Sequence, residues 1–151
     1  MALDDDIRVL SGVGLFKGLA DEHLRLLAFG ADKFDLPEGE ALYQEGDAAD
    51  CAYVVVSGRL DVLRVLAGRV DKLTEVAAGA ILGELALIAP TQRLSSVIAA
   101  TPARVMSIER RNFRRILTEY PSVARCIQAQ LIDEFQAMVA QLERIAPQIG
   151  E

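Results

Sequence analysis

Residues 83–96 read GELALIAPTQRLSS, with a carboxylate at Glu84 and a guanidinium at Arg93, nine residues apart. Gly83 and Ala86 are small enough to let an anion approach the backbone closely, and a helical turn over 84–88 would aim its N-terminal N–H groups at that anion. Arg93 would close such a site as a charge-assisted phosphate ligand able to bind through two N–H groups. Glu84 repels a phosphate but accepts well from a sugar hydroxyl, so acid and base together describe a nucleotide site. The same spacing also suits an Arg93–Glu84 salt bridge that ties down a surface loop, because short motifs recur by chance.

Other chemistry is poorly supplied. The one histidine, His23, sits beside Asp21 and Glu22, so neither a Ser-His-Asp or Cys-His constellation nor a multi-histidine metal site can be assembled. The carboxylate pairs Glu38 with Glu40 and Asp133 with Glu134 read as solvated surface. No catalytic residue is expected, no metal and no cofactor, and the chain is not read as an enzyme.

Composition narrows the class further. The chain has 151 residues, 52% of them apolar and 25% charged, enough for one domain with a real core. The formal net charge is −6; residues 1–75 contribute −7 and residues 76–151 contribute +1. That balance disfavours non-specific binding to a nucleic-acid backbone, which needs clustered Lys and Arg. Cys51 and Cys126 form no CxxC pair and read as thiols in a reducing compartment. The start, MALDDD, is unlike a signal peptide, and the apolar run from Val76 to Pro90 is broken by Gly79, Gly83 and Glu84. A cytoplasmic protein without membrane contact is the expectation.

The elements that must position the loop fall into three zones. Residues 1–30 form a helical segment, with Asp21 expected as an N-cap and Gly30 as a stop. Residues 31–108 hold short Val-, Leu-, Ile- and Tyr-rich runs at 41–44, 51–57, 59–65, 71–76 and 95–99, separated by Pro- and Gly-containing turns. Many short strands with turns every 8–12 residues predict an all-β sandwich, barrel or roll. Residues 109–147 return to helical spacing as a pair interrupted at Tyr120-Pro121. Leu131, Phe135, Met138, Leu142 and Ile145 alternate steps of four and three, the spacing of a coiled-coil seam. That stripe is expected to pack on the roll or on a partner. Arg110, Arg111, Arg114 and Arg115 read as a solvated helix face, with a partner-docking patch as the alternative.

Residues 83–97 resemble the phosphate-binding cassette of the cyclic nucleotide-binding domain, shared by catabolite-activator-type regulators, protein kinase A regulatory subunits and cyclic-nucleotide-gated channels. The matching residues are Gly83, Glu84, Leu85, Ala86, Leu87, Arg93, Ser96 and Val97, with the family's Glu-to-Arg spacing. Gly39, Gly46-Asp47, Tyr53, Gly58 and Gly79 fall where the family places turn glycines and a strand aromatic. Residues 108–117 resemble the helix that follows the roll. The resemblance implies a mainly β fold: an antiparallel, jelly-roll-like β-roll (a double-stranded β-helix) with N-terminal helices and a C-terminal helix pair, the cassette lying at 83–96.

It also implies roles. Gly83 and Glu84 would hold the ribose; Leu85, Ala86, Arg93 and Leu94 would hold the cyclic phosphate. Val62, Leu73, Leu82 and Ser96 are the base-pocket candidates, with ordinary roll core the competing reading for the first three. Phe135 and Met138 are candidate lids over the base. Leu82 replaces the usual Phe, and Leu94 replaces the Ala, Ser or Thr that normally follows the arginine. Cyclic GMP-selective relatives often use Thr there, so Leu94 favours cyclic AMP. The expected function is a stand-alone cyclic nucleotide sensor in signal transduction, whose ligand repositions the C-terminal helices. With Gly150-Glu151 ending the chain, no helix-turn-helix and no direct DNA contact are expected. The output would be an effector protein or a homodimer through the C-terminal helix. The alternative is a β-roll interaction module that no longer binds nucleotide.

Overall fold

The computed structural model describes residues 2–149. It opens with α1 (Ala2–Ser11), a 3-10 turn over Gly14–Phe16 and α2 (Asp21–Phe29). Ten strands follow: β1 (Asp32–Leu36), β2 (Ala41–Tyr43), β3 (Ala48–Ala49), β4 (Cys51–Ser57), β5 (Arg59–Leu66), β6 (Arg69–Ala77), β7 (Ile81–Leu82), β8 (Thr91–Gln92), β9 (Ser96–Ala99) and β10 (Ala103–Glu109). A 3-10 turn over Glu84–Leu87 lies between β7 and β8. The chain then forms α3 (Arg110–Glu119) and α4 (Pro121–Ile149).

The strands make an antiparallel roll of two four-stranded sheets, ordered β1-β10-β4-β7 and β2-β9-β5-β6, with β3 paired to β8. The wall formed by β4 and β10 is covered on both faces, which explains why β4 is apolar almost throughout. Ala52 and Val54 of β4, with Met106 and Ile108 of β10, pack into a core shared with the helices. Val55 and Val105 point the other way, into the interior of the roll, with Leu60, Val62, Leu82 and Val97. The alternation is the period-two geometry of a strand separating two cores.

The first and last zones read from the sequence are one structural layer. Ile7, Leu10, Phe16, Leu24 and Leu27 from the N-terminal part share a core with Phe113, Ile116, Val123 and Ile127 of α3 and α4. The Phe16 and Phe113 rings lie 6.4 Å apart at 46°. Lys33 on β1 donates to the buried Asp6 carboxylate at 2.6 Å, fixing α1 on the sheet.

Several local expectations change. The predicted N-terminal helix is interrupted between Gly12 and Ala20, and Asp21 is the first residue of α2, following an N-cap at Ala20 that makes no side-chain bond. There the acid complements the helix dipole instead of capping it. Gly30 does end α2, but with φ −87 it is not a left-handed cap; its lack of a Cβ is needed because Asn112 packs against it. β1 and β10 were not among the strands singled out: DKFDL is too charged to stand out, and ARVMSIE is buried on both faces. The expectation about the chain end at Gly150-Glu151 lies outside the described residues.

The apolar stripe of α4 packs on the rest of the protein only as far as Leu131, which lies against the helical core. Phe135, Met138, Leu142 and Ile145 are exposed, with Phe135 64% and Met138 59% accessible. Packing of that stripe on the roll is therefore not found. No described helix is long and apolar enough to cross a membrane.

Candidate functional site

Arg93 is fixed first through its backbone. Its N–H donates to the Asp47 carbonyl and its own carbonyl accepts from Gly46 N–H, both at 2.8 Å. The preceding pair of strands, with Ala48 opposite Gln92 and Ala49 opposite Thr91, holds the same register. The Glu45-Gly46-Asp47 turn thus anchors the arginine, while the Ser96 hydroxyl accepts from Glu45 N–H at 2.9 Å and ties that turn to β9.

The side chain runs inward and is only 6% exposed. Nη2 donates to the Cys51 carbonyl at 2.8 Å, with the Cys51 thiol at 3.4 Å. The guanidinium carbon lies 4.4 Å from the centre of the Tyr43 ring and 5.2 Å from that of Tyr53. These two rings stack at 5.8 Å and 22°, and Phe34 meets Tyr53 edge-on at 6.2 Å. Burial is the main force raising both phenols above their usual titration range, so they stay neutral at physiological pH. Nη1 is buried and has no hydrogen-bond partner among the described residues.

Above Nη1 lies Gly83. Its φ of +71 belongs to the left-handed region, and a Cβ there would collide with that nitrogen. The following 3-10 turn matches the helical turn expected over 84–88, ending one residue earlier. Ala86 N–H donates to the Gly83 carbonyl at 3.0 Å, and Ile88 and Ala89 N–H both donate to the Leu85 carbonyl at 3.1 Å.

The Glu84–Arg93 salt bridge that the spacing allowed is not formed among the described residues; the eight ion pairs found include neither side chain. Glu84 is half-buried, and its carboxyl titrates above the usual range, chiefly through burial and secondly through the negative charge of Glu134 on α4. The helix thus carries a like charge close enough to be felt by the cassette acid.

The remaining candidates divide. Val62 and Leu82 are buried together in the roll core, with Tyr43 and Tyr53 packed against it. Leu73 is not brought to them: Val62 pairs with Thr74 and Leu63 with Lys72, which leaves Leu73 as the extra residue of a bulge, 54% exposed. Ser96 lies on β9 opposite Leu63. Leu85 and Leu94 present their side chains to solvent, Leu94 at 70%. Phe135 and Met138 stand exposed on α4, as described above.

Two features were not found by sequence reasoning. The ring faces around Arg93 come from positions 43 and 53, far from the motif, and only Tyr53 had been noted, as a strand aromatic. The arginine face of α3 is also more than solvated surface, which corrects that expectation. Arg110 Nη1 donates to the carbonyls of Ala49 and Ala86 at 3.1 Å and of Ala89 at 3.4 Å, and Arg114 Nη2 donates to Ile88 at 2.9 Å. Carbonyls at the end of a short turn lack intrahelical partners, and guanidinium groups satisfy several at once. A cavity of about 700 Å³ lies beside them, lined by Asp50, Glu109, Arg110, Arg111 and Arg114. Two of its three arginines are already committed to the cassette.

Residues 33–120 match the model of the cyclic nucleotide-binding domain. A CRP-like cAMP-activated global transcriptional regulator from Mycobacterium tuberculosis is 27% identical over 117 residues, covering 77% of this chain and 52% of that protein. A cAMP-dependent protein kinase regulatory subunit from Blastocladiella emersonii is 30% identical over 131 residues, covering 84% of this chain and 32% of the subunit. The chain thus spans about half of the first and a third of the second. A solved cyclic nucleotide-binding-like protein from Brucella abortus is 47% identical, with a TM-score of 0.70 over 76% of this chain and 99% of the other. With its roll, its cassette turn and its buried arginine, this chain belongs to the cyclic nucleotide-binding domain family.

Proposed function

We propose that the chain is a regulatory module that senses a cyclic nucleotide, cyclic AMP in preference to cyclic GMP, and passes the signal to α4. The observation that carries the reading is Arg93: a residue only 6% exposed, without a carboxylate partner among the described residues, and with Nη1 unpaired beneath Gly83. A buried, uncompensated charge is costly, and a single anion bound at the cassette would offset it. A cyclic phosphodiester carries one negative charge, matching one guanidinium; a phosphate monoester carries closer to two.

In this mechanism Gly83 shifts to admit the phosphate to Nη1, and the Leu85, Ala86 and Leu94 amides complete its shell. Glu84 accepts from the ribose 2′-hydroxyl. Because Arg110 and Arg114 hold the carbonyls of Ala86, Ile88 and Ala89, any movement of the turn pulls on α3, and Phe113 and Ile116 transmit it to α4 through their shared core. Glu134 adds a direct electrostatic link between α4 and Glu84. The exposed stripe from Phe135 to Ile145 is then the output surface, meeting an effector protein or a second copy. The Mycobacterium and Blastocladiella relatives are a transcriptional regulator and a kinase regulatory subunit, and the chain is read as non-enzymatic and cytoplasmic, with no direct contact to DNA or membrane and no cofactor.

Calorimetric titration with cyclic AMP and cyclic GMP, on wild type and Arg93→Ala, tests the reading. Binding is expected for wild type, tighter for cyclic AMP, and at least a hundredfold weaker for the variant. No heat from wild type with either nucleotide at millimolar concentration would overturn it in favour of an interaction module.

A further inference from the structure

Among the described residues Arg93 has no acid within salt-bridge distance to orient it. Its buried end is surrounded by a carbonyl, a thiol and two aromatic faces. Nη2 is occupied by the Cys51 carbonyl at 2.8 Å, so the remaining freedom of the guanidinium is rotation and tilt about that bond. Tyr43, at 4.4 Å, and Tyr53, at 5.2 Å, stand against its carbon and restrict both motions. Phe34, edge-on to Tyr53, buttresses the far ring.

We propose that Tyr43 and Tyr53 are positioning residues for phosphate recognition: their stacked rings hold the Arg93 guanidinium with Nη1 directed at Gly83, ready for the anion. The proposal rests on the cyclic nucleotide reading and deepens it. A carboxylate in place of the rings would also orient Arg93, but it would neutralise the charge that the ligand needs. Ring faces attract the cation through their quadrupole while leaving its net charge intact. They are rigid, so little freedom remains to be lost when the phosphate arrives. Both phenols are neutral, so what they offer is ring face and not a phenolate ion pair. The guanidinium stays in place on binding, and the Gly83 turn is what moves.

The rings and the hydroxyls separate by substitution. In Tyr43→Phe/Tyr53→Phe both faces remain, and cyclic AMP affinity is expected within about threefold of wild type. In Tyr43→Leu/Tyr53→Leu the apolar volume remains but the faces are lost, and affinity is expected to fall about 10- to 30-fold. Equal binding by the Leu variant, or an equal loss in the Phe variant, would overturn the cradle. A second readout works without nucleotide: the Arg93 side-chain Nε–Hε resonance should be displaced by the rings' currents in wild type and in the Phe variant, and should return toward a free-arginine position in the Leu variant. An undisplaced Arg93 resonance in wild type overturns the proposal whether or not nucleotide binds. Wild type that binds no cyclic nucleotide but shows the displaced resonance overturns the sensor reading, and with it the purpose assigned to the cradle, while leaving the packing itself established.

Discussion

Arg110, the first residue of α3, donates through one nitrogen to the Ala86 carbonyl at 3.1 Å, in the middle of the cassette turn. Four residues further on, Arg114 reaches Ile88 at 2.9 Å, so one face of the helix clasps the end of the turn at two points. The cassette and the helix after the roll are therefore mechanically one piece, although 21 to 26 residues separate the bonded positions.

Cutting that clasp should both destabilise and uncouple. Arg110→Ala/Arg114→Ala leaves the Ala86, Ile88 and Ala89 carbonyls without these donors, and a loss of about 2–3 kcal/mol is expected in urea unfolding. Hydrogen exchange in α4 should respond to cyclic AMP in wild type and much less in the double variant. An unchanged α4 response would show that the signal travels by another route.

Gly83→Ala places a methyl group against Arg93 Nη1 at a residue whose φ is +71. The left-handed backbone alone costs about 1–2 kcal/mol for a residue with a Cβ. Cyclic AMP affinity is expected to fall more than tenfold, with a lower thermal midpoint, measured by calorimetry and by circular dichroism.

Glu84→Gln should separate stability from function. The Glu84 carboxyl titrates higher in the folded protein than when free, so between its free and folded values the folded state holds the extra proton and stability falls as pH rises. At neutral pH the charged acid is therefore a small liability, moderated because the group is half exposed to water. The Gln variant should melt about 1 °C higher at pH 7 and about the same as wild type below pH 4, while cyclic AMP binding weakens. In wild type, affinity should fall as pH drops through the raised Glu84 range, and Glu134→Gln should move that fall to lower pH. An unmoved pH profile in Glu134→Gln would remove the proposed link between α4 and the sugar acid.

Leu94→Thr changes an exposed side chain and should alter stability by less than about 0.5 kcal/mol. If the hydroxyl reaches the base as the family resemblance implies, cyclic GMP affinity rises relative to cyclic AMP, read by competition for one labelled nucleotide. An unchanged ratio would detach base preference from this position.

Much of this protein is legible residue by residue. Strands at 51–57 and 59–65 show themselves by Val- and Leu-rich runs separated by Gly58, the second extending one residue further in the structure, and the cassette shows itself because its acid, glycine and arginine sit close together in the chain. Local spacing suffices for such features because turns and short strands are specified by neighbours. It could not say whether Arg93 pairs with Glu84, since both outcomes use the same nine-residue interval. That was decided by Tyr43, Tyr53 and Cys51, brought under the loop by β2 and β4 from 40 to 50 residues away.

The arginines of α3 and the stripe of α4 show the same division. Helical periodicity identified each face, but periodicity is blind to what lies opposite. The roll presents unsatisfied turn carbonyls to Arg110 and Arg114, and so converts a solvated face into a clasp. Phe135 and Met138 stay mostly exposed, which leaves an apolar stripe in water. Sequence determined which residues carry charge, apolar surface and turn geometry; tertiary structure alone decided which of them meet, because contacts between distant segments depend on how the whole chain packs.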